Sequence, residues 1–230
     1  MPYIFGYGSL IEQASRLRST PSALYVLPVR AHGYARGWWG RNGTIGFSTT
    51  FLGAIPDTSS SINGVIYAVD EKELHDTDER ESGYTREHIA SHLEILSGGS
   101  VPKGEIYIYL NKFKDGQREK SVPTRDFPIV QSYVDICLTG CLQIEKGFPD
   151  AADFAREFIK TTQEWSNYWE NDRVHPRRAI FTVRDALKID KLLEMHLPTL
   201  FTEIQLAPGR WQHGERCVAR SGPPTYTPWK

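Results

Sequence analysis

The hydrophobic periodicity of the chain changes near Pro128, and this change limits the folds that the chain can adopt. Before Pro128, apolar residues alternate along short segments such as residues 105–110 (EIYIYL), which is the pattern of β-strands. After it, apolar residues recur at helical spacing, starting with Ile129, Val130 and Tyr133. A chain with its strands first and its helices afterwards is typical of an α+β fold.

Other segments before Pro128 fit this order. Apolar runs or alternation predict further strands at residues 2–7, 24–29, 62–69 and 89–95. Residues 33–55 are rich in Gly, Trp, Thr and Ser, a composition that predicts a long functional loop with extended pieces.

Helix signals are local and well defined. Asp70 lies three residues before Glu73, which is the spacing of a capping box, and predicts a short helix through about Glu79. In the last third of the chain, residues 151–165 and 183–193 also have the apolar spacing of helices.

Charge, hydropathy and cysteine content indicate a cytoplasmic protein. The formal net charge of -1 gives no electrostatic support for a nucleic-acid or membrane-surface partner. No stretch approaches the roughly 18 apolar residues of a membrane span, and no signal peptide is recognisable. The three cysteines, Cys137, Cys141 and Cys217, are too few and odd in number for a disulfide framework, which favours a reducing compartment.

A glycine-rich turn follows the first predicted strand. Gly6 and Gly8 flank Tyr7, and Ser9 and Leu10 come next. Glycines let a ligand approach the backbone closely, and the N–H groups of such a turn can bind an anion such as a carboxylate. The third glycine of a dinucleotide-binding fingerprint is absent, and no G-K-[ST] of a P-loop follows. From these residues alone, the turn is either a ligand cradle or a structural turn.

An acidic run at residues 76–81 precedes Gly83. The usual role of such a run is a solvated helix end. Glu81 differs from the others because it lies where the predicted helix should stop, immediately before the chain leads into a strand at Tyr84. A carboxylate at such a junction can point into a cleft, which makes Glu81 a candidate catalytic residue.

Together, these two segments resemble the γ-glutamylcyclotransferase superfamily, and especially its ChaC-like branch. The Y-G-S-L turn of that family corresponds to residues 7–10, and its glutamate in an R-E-x-G-Y-like stretch corresponds to Glu81. The resemblance covers about residues 3–145. Two departures concern the substrate subclass: residues 78–80 read D-E-R where the ChaC-like branch has D-F-R, and only one glycine precedes Tyr84.

The resemblance implies a small closed mixed β-barrel flanked by helices, formed by residues 1–147. Residues 148–230 do not match the compact family core, and we expect them to form a helical C-terminal extension packed on it. It also implies acid/base chemistry by Glu81. The substrate-binding residues that it implies are Tyr7, Gly8, Ser9, Leu10, Tyr84 and Tyr133. For Tyr133, a plain role as a buried core tyrosine is the alternative.

The family reaction converts a γ-glutamyl compound to 5-oxoproline and a released amine. The substrate's α-amine attacks its own γ-carbonyl, and one carboxylate can act first as base and then as acid. We therefore expect no metal, no cofactor and one partner, a small γ-glutamyl compound such as glutathione or a γ-glutamyl amino acid. The alternatives are a γ-glutamylamine cyclotransferase or an amide hydrolase on the same scaffold, and a non-catalytic binding module.

Three features outside these motifs have more than one interpretation. Trp38 and Trp39 either line the mouth of the pocket or pack in the core. Cys137 and Cys141 have no neighbour at metal-ligand spacing, so we expect them to be small buried hydrophobic residues. The extension carries a basic cluster, for which a solvated face is the default and an anion or partner site the alternative. The cluster comprises Arg173, His175, Arg177 and Arg178.

Overall fold

The computed structural model of the chain describes residues 1–42, 49–89, 92–113, 118, 120–178 and 185–207. Its strands are β1 (Tyr3–Gly6), β2 (Leu27–Asn42), β3 (Thr49–Ala68), β4 (Tyr84–His88), β5 (Leu93–Ile95), β6 (Ile106–Asn111), β7 (Ile129–Val130), β8 (Thr162–Gln163), β9 (Trp169–Asn171) and β10 (Gln205–Leu206). Its α-helices are α1 (Gln13–Ser19), α2 (Glu71–Arg80), α3 (Gln131–Gly147), α4 (Phe154–Thr161), α5 (Ala186–His196) and α6 (Pro198–Glu203). Short 3-10 helices lie at Ser9–Ile11 and Pro149–Ala151.

A mixed seven-stranded sheet forms the centre of the fold. Its strands are hydrogen-bonded in the order β4-β6-β1-β3-β2-β5, and β8 also pairs with β2. Along this order only β1 and β6 are parallel. A second sheet contains three parallel strands in the order β10-β9-β7. This arrangement of sheet and helices confirms the predicted α+β class.

The predicted closed barrel is not found. Within the described residues, the strand order begins at β4 and ends at β5, and these two strands do not pair with each other. Closing a sheet into a barrel requires pairing of its two edge strands. Here the three residues of β5 and the two of β8 both pair with β2, at different points along that one strand. The short strands added to β2 therefore leave the sheet open.

The prediction of a long loop at residues 33–55 is wrong. β2 and β3 occupy this segment as one antiparallel hairpin, apart from residues 43–48, which lie outside the described residues. The glycines that suggested a loop allow close packing across the sheet instead: a Cβ added to Gly53 would clash with the side-chain amide of Asn111. The composition was therefore a signal of tight packing and not of irregular structure.

Most of the other predicted elements are confirmed, with shifted ends. The strand expected at residues 24–29 begins only at Leu27. Of the one expected at 89–95, the described residues form a strand only at β5, residues 93–95, and β4 ends before that segment, at His88. The capping box at Asp70 is present and starts α2. The helix expected at residues 151–165 is the shorter α4, and α5 occupies much of the one expected at 183–193, of which residues 183–184 lie outside the described residues.

Helix α3 packs into the main hydrophobic core. Trp38 and Trp39 are 0% and 1% exposed, so they belong to the core and not to the mouth of a pocket. Cys137 and Cys141 on α3 are free and buried, as expected. Cys217 lies outside the described residues.

The described part of the C-terminal extension shares the core of the preceding residues. Phe154 and Phe158 of α4 are buried in the same cluster as Trp38. β8 joins the main sheet through parallel pairing with β2. Residues 179–184 and 208–230 of the extension lie outside the described residues. Of the helices in the described ranges, none has the length and apolar character needed to cross a membrane.

Candidate active site

The N-terminal turn, residues 7–10, connects β1 to the 3-10 helix at Ser9–Ile11. The N–H of Ile11 donates to the carbonyl of Gly8 at 3.0 Å, so the N–H groups of Ser9 and Leu10 precede the first bond of that helix. A Cβ added to Gly8 would lie 3.0 Å from the hydroxyl oxygen of Tyr133. The absence of a side chain at Gly8 therefore lets the tyrosine reach the backbone of the turn.

Arg36 holds this turn from inside the protein. Its Nη1 donates to the carbonyl of Tyr7 at 3.2 Å and to that of Asn63 at 2.7 Å, and its Nη2 donates to Asn63 Oδ1 at 3.1 Å. Its guanidinium also lies over the ring of Phe158, 3.8 Å from the ring centroid. Burial lowers the pKa of Arg36 to about 10, so the side chain is still charged at neutral pH. The turn is thus fixed by a buried cation that donates hydrogen bonds to the turn and to β3 and stacks on Phe158 of α4.

Helix α2 positions Glu81. Its capping box is complete, since the N–H of Glu73 donates to Asp70 and the side chain of Glu73 accepts from the N–H of Asp70. At the other end, the N–H of Glu81 donates to the carbonyl of Thr77 at 2.9 Å. The N–H of Tyr84 then donates to the carbonyl of Glu81 at 2.8 Å, which turns the chain into β4. Glu81 therefore lies at the junction predicted from the sequence.

The Glu81 carboxylate is partly enclosed. Its side chain is 26% exposed, compared with 74% for Glu79 two residues earlier. Arg80 Nε donates to Glu81 Oε1 at 3.0 Å, which orients the carboxylate. Burial and then the charge of Glu81 raise the pKa of Tyr84 to about 12. Burial is also the main cause that raises the pKa of Tyr7 well above its ordinary value, with Tyr84 and then Glu81 raising it further.

Tyr133 is the third tyrosine of the group. It is 7% exposed, and its ring makes edge contacts with the rings of Trp38 and Phe51, with centroids 5.9 Å and 5.1 Å away. Burial raises its pKa, while the charge of Arg178 and then a hydrogen bond with the Ser9 side chain lower it. Tyr133 is thus both a core residue and a neighbour of the N-terminal turn, which combines the two interpretations open from the sequence.

Most of the predicted site residues come together. Glu81, Tyr7, Ser9 and Tyr84 are half-buried, whereas Gly8 and Tyr133 are buried. Leu10 differs, because it packs against the main core and its carbonyl accepts from Arg16 Nη1 at 3.0 Å. We call this group, Tyr7, Gly8, Ser9, Leu10, Glu81, Tyr84 and Tyr133, the candidate active site.

The basic cluster does not form a purely solvated face. Arg173 donates to Asp135 and to Asp190, both through two nitrogens, and Arg177 pairs with Glu170. The pair with Asp135 binds the extension to α3, whereas Asp190 on α5 and Glu170 on β9 lie within the extension itself.

Sequence reasoning missed two residues at this site, Phe51 and Arg178. The guanidinium carbon of Arg178 lies 3.9 Å from the ring centroid of Phe51 and 5.9 Å from that of Tyr133. The only sequence signal for Arg178 was the basic cluster itself, and no sequence signal pointed to Phe51.

In the described ranges, no group of three or more His, Cys, Asp or Glu side chains is placed to hold a metal ion.

Comparison of solved structures identifies proteins with a similar fold. A structure of a gamma-glutamyl cyclotransferase matches with a TM-score of 0.53 at 14% identity, over 81% of this chain and 97% of that chain. A structure of the uncharacterized protein loc79017 from Homo sapiens matches with the same TM-score of 0.53 and the same 14% identity, again over 81% and 97% of the two chains. At this level of identity the likeness concerns the fold alone.

Comparison of sequences identifies the family. No curated protein sequence matches the chain. The family described as gamma-glutamyl cyclotransferase, AIG2-like, matches residues 4–128, a span that contains Glu81 and the whole N-terminal turn. This match covers more than half of the 230 residues. The chain therefore belongs to the gamma-glutamyl cyclotransferase, AIG2-like family.

Proposed function

We propose that this protein is a cofactor-independent γ-glutamyl cyclotransferase, which converts a γ-glutamyl compound to 5-oxoproline and a released amine. The observation that carries the proposal is the grouping of Glu81 with Tyr7 and Tyr84 beside the N-terminal turn, within the span matched by the family. The substrate is glutathione or a γ-glutamyl amino acid. The odd, low cysteine count favours the cytoplasm as its location.

The substrate supplies both reacting groups. Its α-amine attacks its own γ-carbonyl carbon, a five-membered ring forms, and the bond from that carbon to the leaving nitrogen breaks. Holding the two groups in a folded conformation contributes up to roughly 7–11 kcal/mol in favourable intramolecular cases. The protein must therefore bind the folded substrate and move protons.

Glu81 is the proton carrier in this proposal. As a carboxylate it takes a proton from the substrate's α-ammonium, which frees the lone pair for attack. It passes this proton to water. When the ring closes, Glu81 takes the second proton of the attacking nitrogen, which is now positively charged, and gives it to the leaving nitrogen, which departs as a neutral amine. A group with both roles contributes about 10²–10⁴-fold to the rate. The bond from Arg80 Nε to Glu81 Oε1 leaves the other carboxylate oxygen, Oε2, for this exchange.

The N-terminal turn and the tyrosines bind the substrate. The N–H groups of Ser9 and Leu10 can donate to the α-carboxylate or to the oxyanion that develops on the γ-carbonyl. Because burial raises the pKa values of Tyr84 and Tyr133, both phenols are protonated at neutral pH and can donate hydrogen bonds. Gly8 keeps the backbone accessible.

Product analysis tests the proposal directly. Purified protein is mixed with glutathione or with γ-glutamyl-alanine, and the products are identified by mass spectrometry. We expect 5-oxoproline together with Cys-Gly or alanine in equal amounts. Free glutamate as the first product would identify an amide hydrolase, and the absence of any product would leave a binding module as the explanation.

A further inference from the structure

Asp172, in the C-terminal extension, caps helix α3 from outside that helix. The residue at the N-cap position of α3 is Val130, whose side chain makes no cap hydrogen bond. Asp172 Oδ1 instead accepts from the N–H of Ser132 at 2.7 Å, and Asp172 Oδ2 accepts from Ser132 Oγ at 2.7 Å. Asp172 and Ser132 are 2% and 0% exposed, so water cannot replace these bonds. The first turn of α3 therefore depends on the extension.

The parallel pairing of β7 with β9 brings Asp172 to this place. Ile129 lies opposite Trp169, and Val130 lies opposite Glu170. Helix α3 begins directly after β7, and Asp172 comes directly after β9. The first turn of α3 and Asp172 thus leave the small sheet side by side.

The same carboxylate also holds the segment that packs beside Tyr133. Asp172 Oδ2 accepts from the N–H of Arg177 at 2.7 Å. The N–H of Arg178 donates to Ser132 Oγ at 3.2 Å, and the guanidinium carbon of Arg178 lies 5.9 Å from the ring centroid of Tyr133. Asp172 and Ser132 together therefore fix both the helix that carries Tyr133 and the chain next to its ring.

Tyr133 carries this constraint to the N-terminal turn. It directly follows Ser132 in the first turn of α3. A Cβ added to Gly8 would lie 3.0 Å from its hydroxyl oxygen, and the hydroxyl forms a hydrogen bond with the Ser9 side chain. Because protein interiors are close-packed, a small displacement of the start of α3 moves the Tyr133 hydroxyl away from the turn.

We infer that Asp172 is a positioning residue of the candidate active site: it fixes the first turn of α3 and so holds the Tyr133 hydroxyl against the N-terminal turn, where the substrate binds. The inference rests on the proposed function, because that function assigns substrate binding to Tyr133. The span matched by the family ends at residue 128, before both Ser132 and Asp172. The extension therefore contributes to ligand binding as well as to stability.

The chemistry of aspartate suits this role. A negative charge at a helix N-terminus is stabilised by the helix dipole, and its hydrogen bonds with N–H groups are charge-assisted. The two oxygens of one carboxylate accept all three bonds described here, from the N–H and the hydroxyl of Ser132 and from the N–H of Arg177. Alanine at position 172 would leave all three donors without this acceptor.

A double-mutant cycle with Tyr133 tests the inference. Calorimetry measures the dissociation constant of γ-glutamyl-alanine in the Glu81→Gln background, in which we expect no turnover. Tyr133→Phe removes one hydroxyl group and should raise the dissociation constant about 3- to 10-fold. Asp172→Ala should raise it by a similar factor. Since Asp172 acts through the Tyr133 hydroxyl, the double variant should bind no more weakly than Tyr133→Phe alone. If the two factors multiply instead, the inference is wrong.

The matched control is Glu145→Ala. Glu145, near the other end of α3, accepts from the N–H of Ala155 at 2.9 Å and so caps α4 from outside that helix, as Asp172 caps α3. Glu145→Ala should lower the melting temperature and leave the dissociation constant unchanged. Asp172→Asn should restore binding, because asparagine caps a helix as well as aspartate does. Equal losses of affinity in Glu145→Ala and Asp172→Ala would reduce the effect to one of general stability and overturn the inference.

A spectroscopic measurement without ligand separates this inference from the proposed function. The protein is labelled with 3-fluorotyrosine, and the fluorine NMR signal that is lost in Tyr133→Phe is assigned to Tyr133. This signal should shift in Asp172→Ala but not in Glu145→Ala, whether or not the protein forms 5-oxoproline. A shift together with the absence of any 5-oxoproline in the protein with Glu81 intact would overturn the cyclotransferase and support the positioning role. Formation of 5-oxoproline with an unshifted signal would do the reverse.

Ser132→Ala covers the case in which Asp172→Ala does not fold. This variant keeps the bond from the N–H of residue 132 to Asp172 and loses only the hydroxyl bond. We expect it to shift the Tyr133 signal in the same direction, by a smaller amount. A Tyr133 signal identical to that of the wild type would overturn the inference.

Discussion

The hydroxyl oxygen of Tyr133 lies so close to Gly8 that a Cβ at position 8 would stand only 3.0 Å from it. Tyr133 belongs to α3 and Gly8 to the N-terminal turn, so two distant parts of the chain meet at this contact. Burial fixes the position of the Tyr133 ring, which leaves little room for it to move. The contact therefore couples the shape of the turn to the packing of the core.

Gly8→Ala should weaken substrate binding. The added methyl group displaces the Tyr133 hydroxyl by a few tenths of an ångström and obstructs the approach of a ligand to the backbone. Overpacking of this kind costs about 1–3 kcal/mol of stability. We expect KM to rise about tenfold, for a loss of roughly 1.4 kcal/mol of binding free energy. Steady-state kinetics and a thermal melt measure the two effects.

The control for this substitution is Gly147→Ala at the end of α3, where an added Cβ meets nothing within 4 Å. It should leave both KM and the melting temperature nearly unchanged. If Gly8→Ala lowers the melting temperature while KM stays the same, the turn has a structural role only.

Glu81→Gln should abolish turnover and leave folding and binding largely intact. The amide retains the shape of the carboxylate and can still accept from Arg80 Nε, but it cannot take up and return a proton. We expect kcat to fall by at least about 10²-fold, with the dissociation constant of glutathione changed by less than about threefold. Glu79→Gln is the matched control, since Glu79 is 74% exposed. Near-normal turnover in Glu81→Gln would remove Glu81 from the mechanism.

Local signals in the sequence predicted the parts of the site that depend on neighbouring residues. The Asp70 capping box gave the start of α2, and Gly83 after the acidic run gave its approximate end. Because Glu81 comes directly after this helix, its place at a junction could be predicted without the fold. The N-terminal turn was predictable for the same reason, as an apolar run that ends at glycine.

Long-range contacts were not predictable in this way. Arg178 stacks on Phe51, 127 residues earlier, and a basic cluster in sequence does not specify which member stacks on a ring. The open sheet has a similar origin, because closure depends on how β4 and β5 pair and not on the pattern within either strand. The glycines of the β2–β3 hairpin led to the wrong prediction of a loop for a third reason. Their function is to admit side chains from other strands, such as Asn111 against Gly53.

The raised pKa of Tyr84 predicts a loss of stability in alkali. In the unfolded chain a tyrosine ionises near its ordinary pKa of about 10. In the folded protein the pKa of Tyr84 is about 12. Between these two values the unfolded state binds fewer protons than the folded state, so the free energy of unfolding falls as the pH rises from about 10 toward about 12. Below the unfolded pKa, Tyr84 contributes no such slope.

Urea denaturation at several pH values across this window measures the effect. Tyr84→Phe should reduce the slope, because phenylalanine has no proton to lose. Tyr25→Phe is the control, since Tyr25 is 88% exposed, and it should leave the slope as in the wild type. An unchanged slope in Tyr84→Phe would mean that Tyr84 ionises alike in both states, contrary to its burial beside Glu81.

The substrate's own nucleophile provides the sharpest test of the reaction type. In a cyclotransferase the free α-amine is a reactant, so N-acetyl-γ-glutamyl-alanine should give no product: its nitrogen lacks a nucleophilic lone pair, and Glu81 has no ammonium to deprotonate. The compound still has an α-carboxylate for the N-terminal turn, so it should inhibit the turnover of γ-glutamyl-alanine by weak competition. A hydrolase would use water as its nucleophile and would release N-acetylglutamate and alanine from the same compound. Mass spectrometry of the products distinguishes the two reactions, with Glu81→Gln as the background control. Release of N-acetylglutamate by the wild type and not by this variant would replace the cyclotransferase with a hydrolase in which Glu81 activates water.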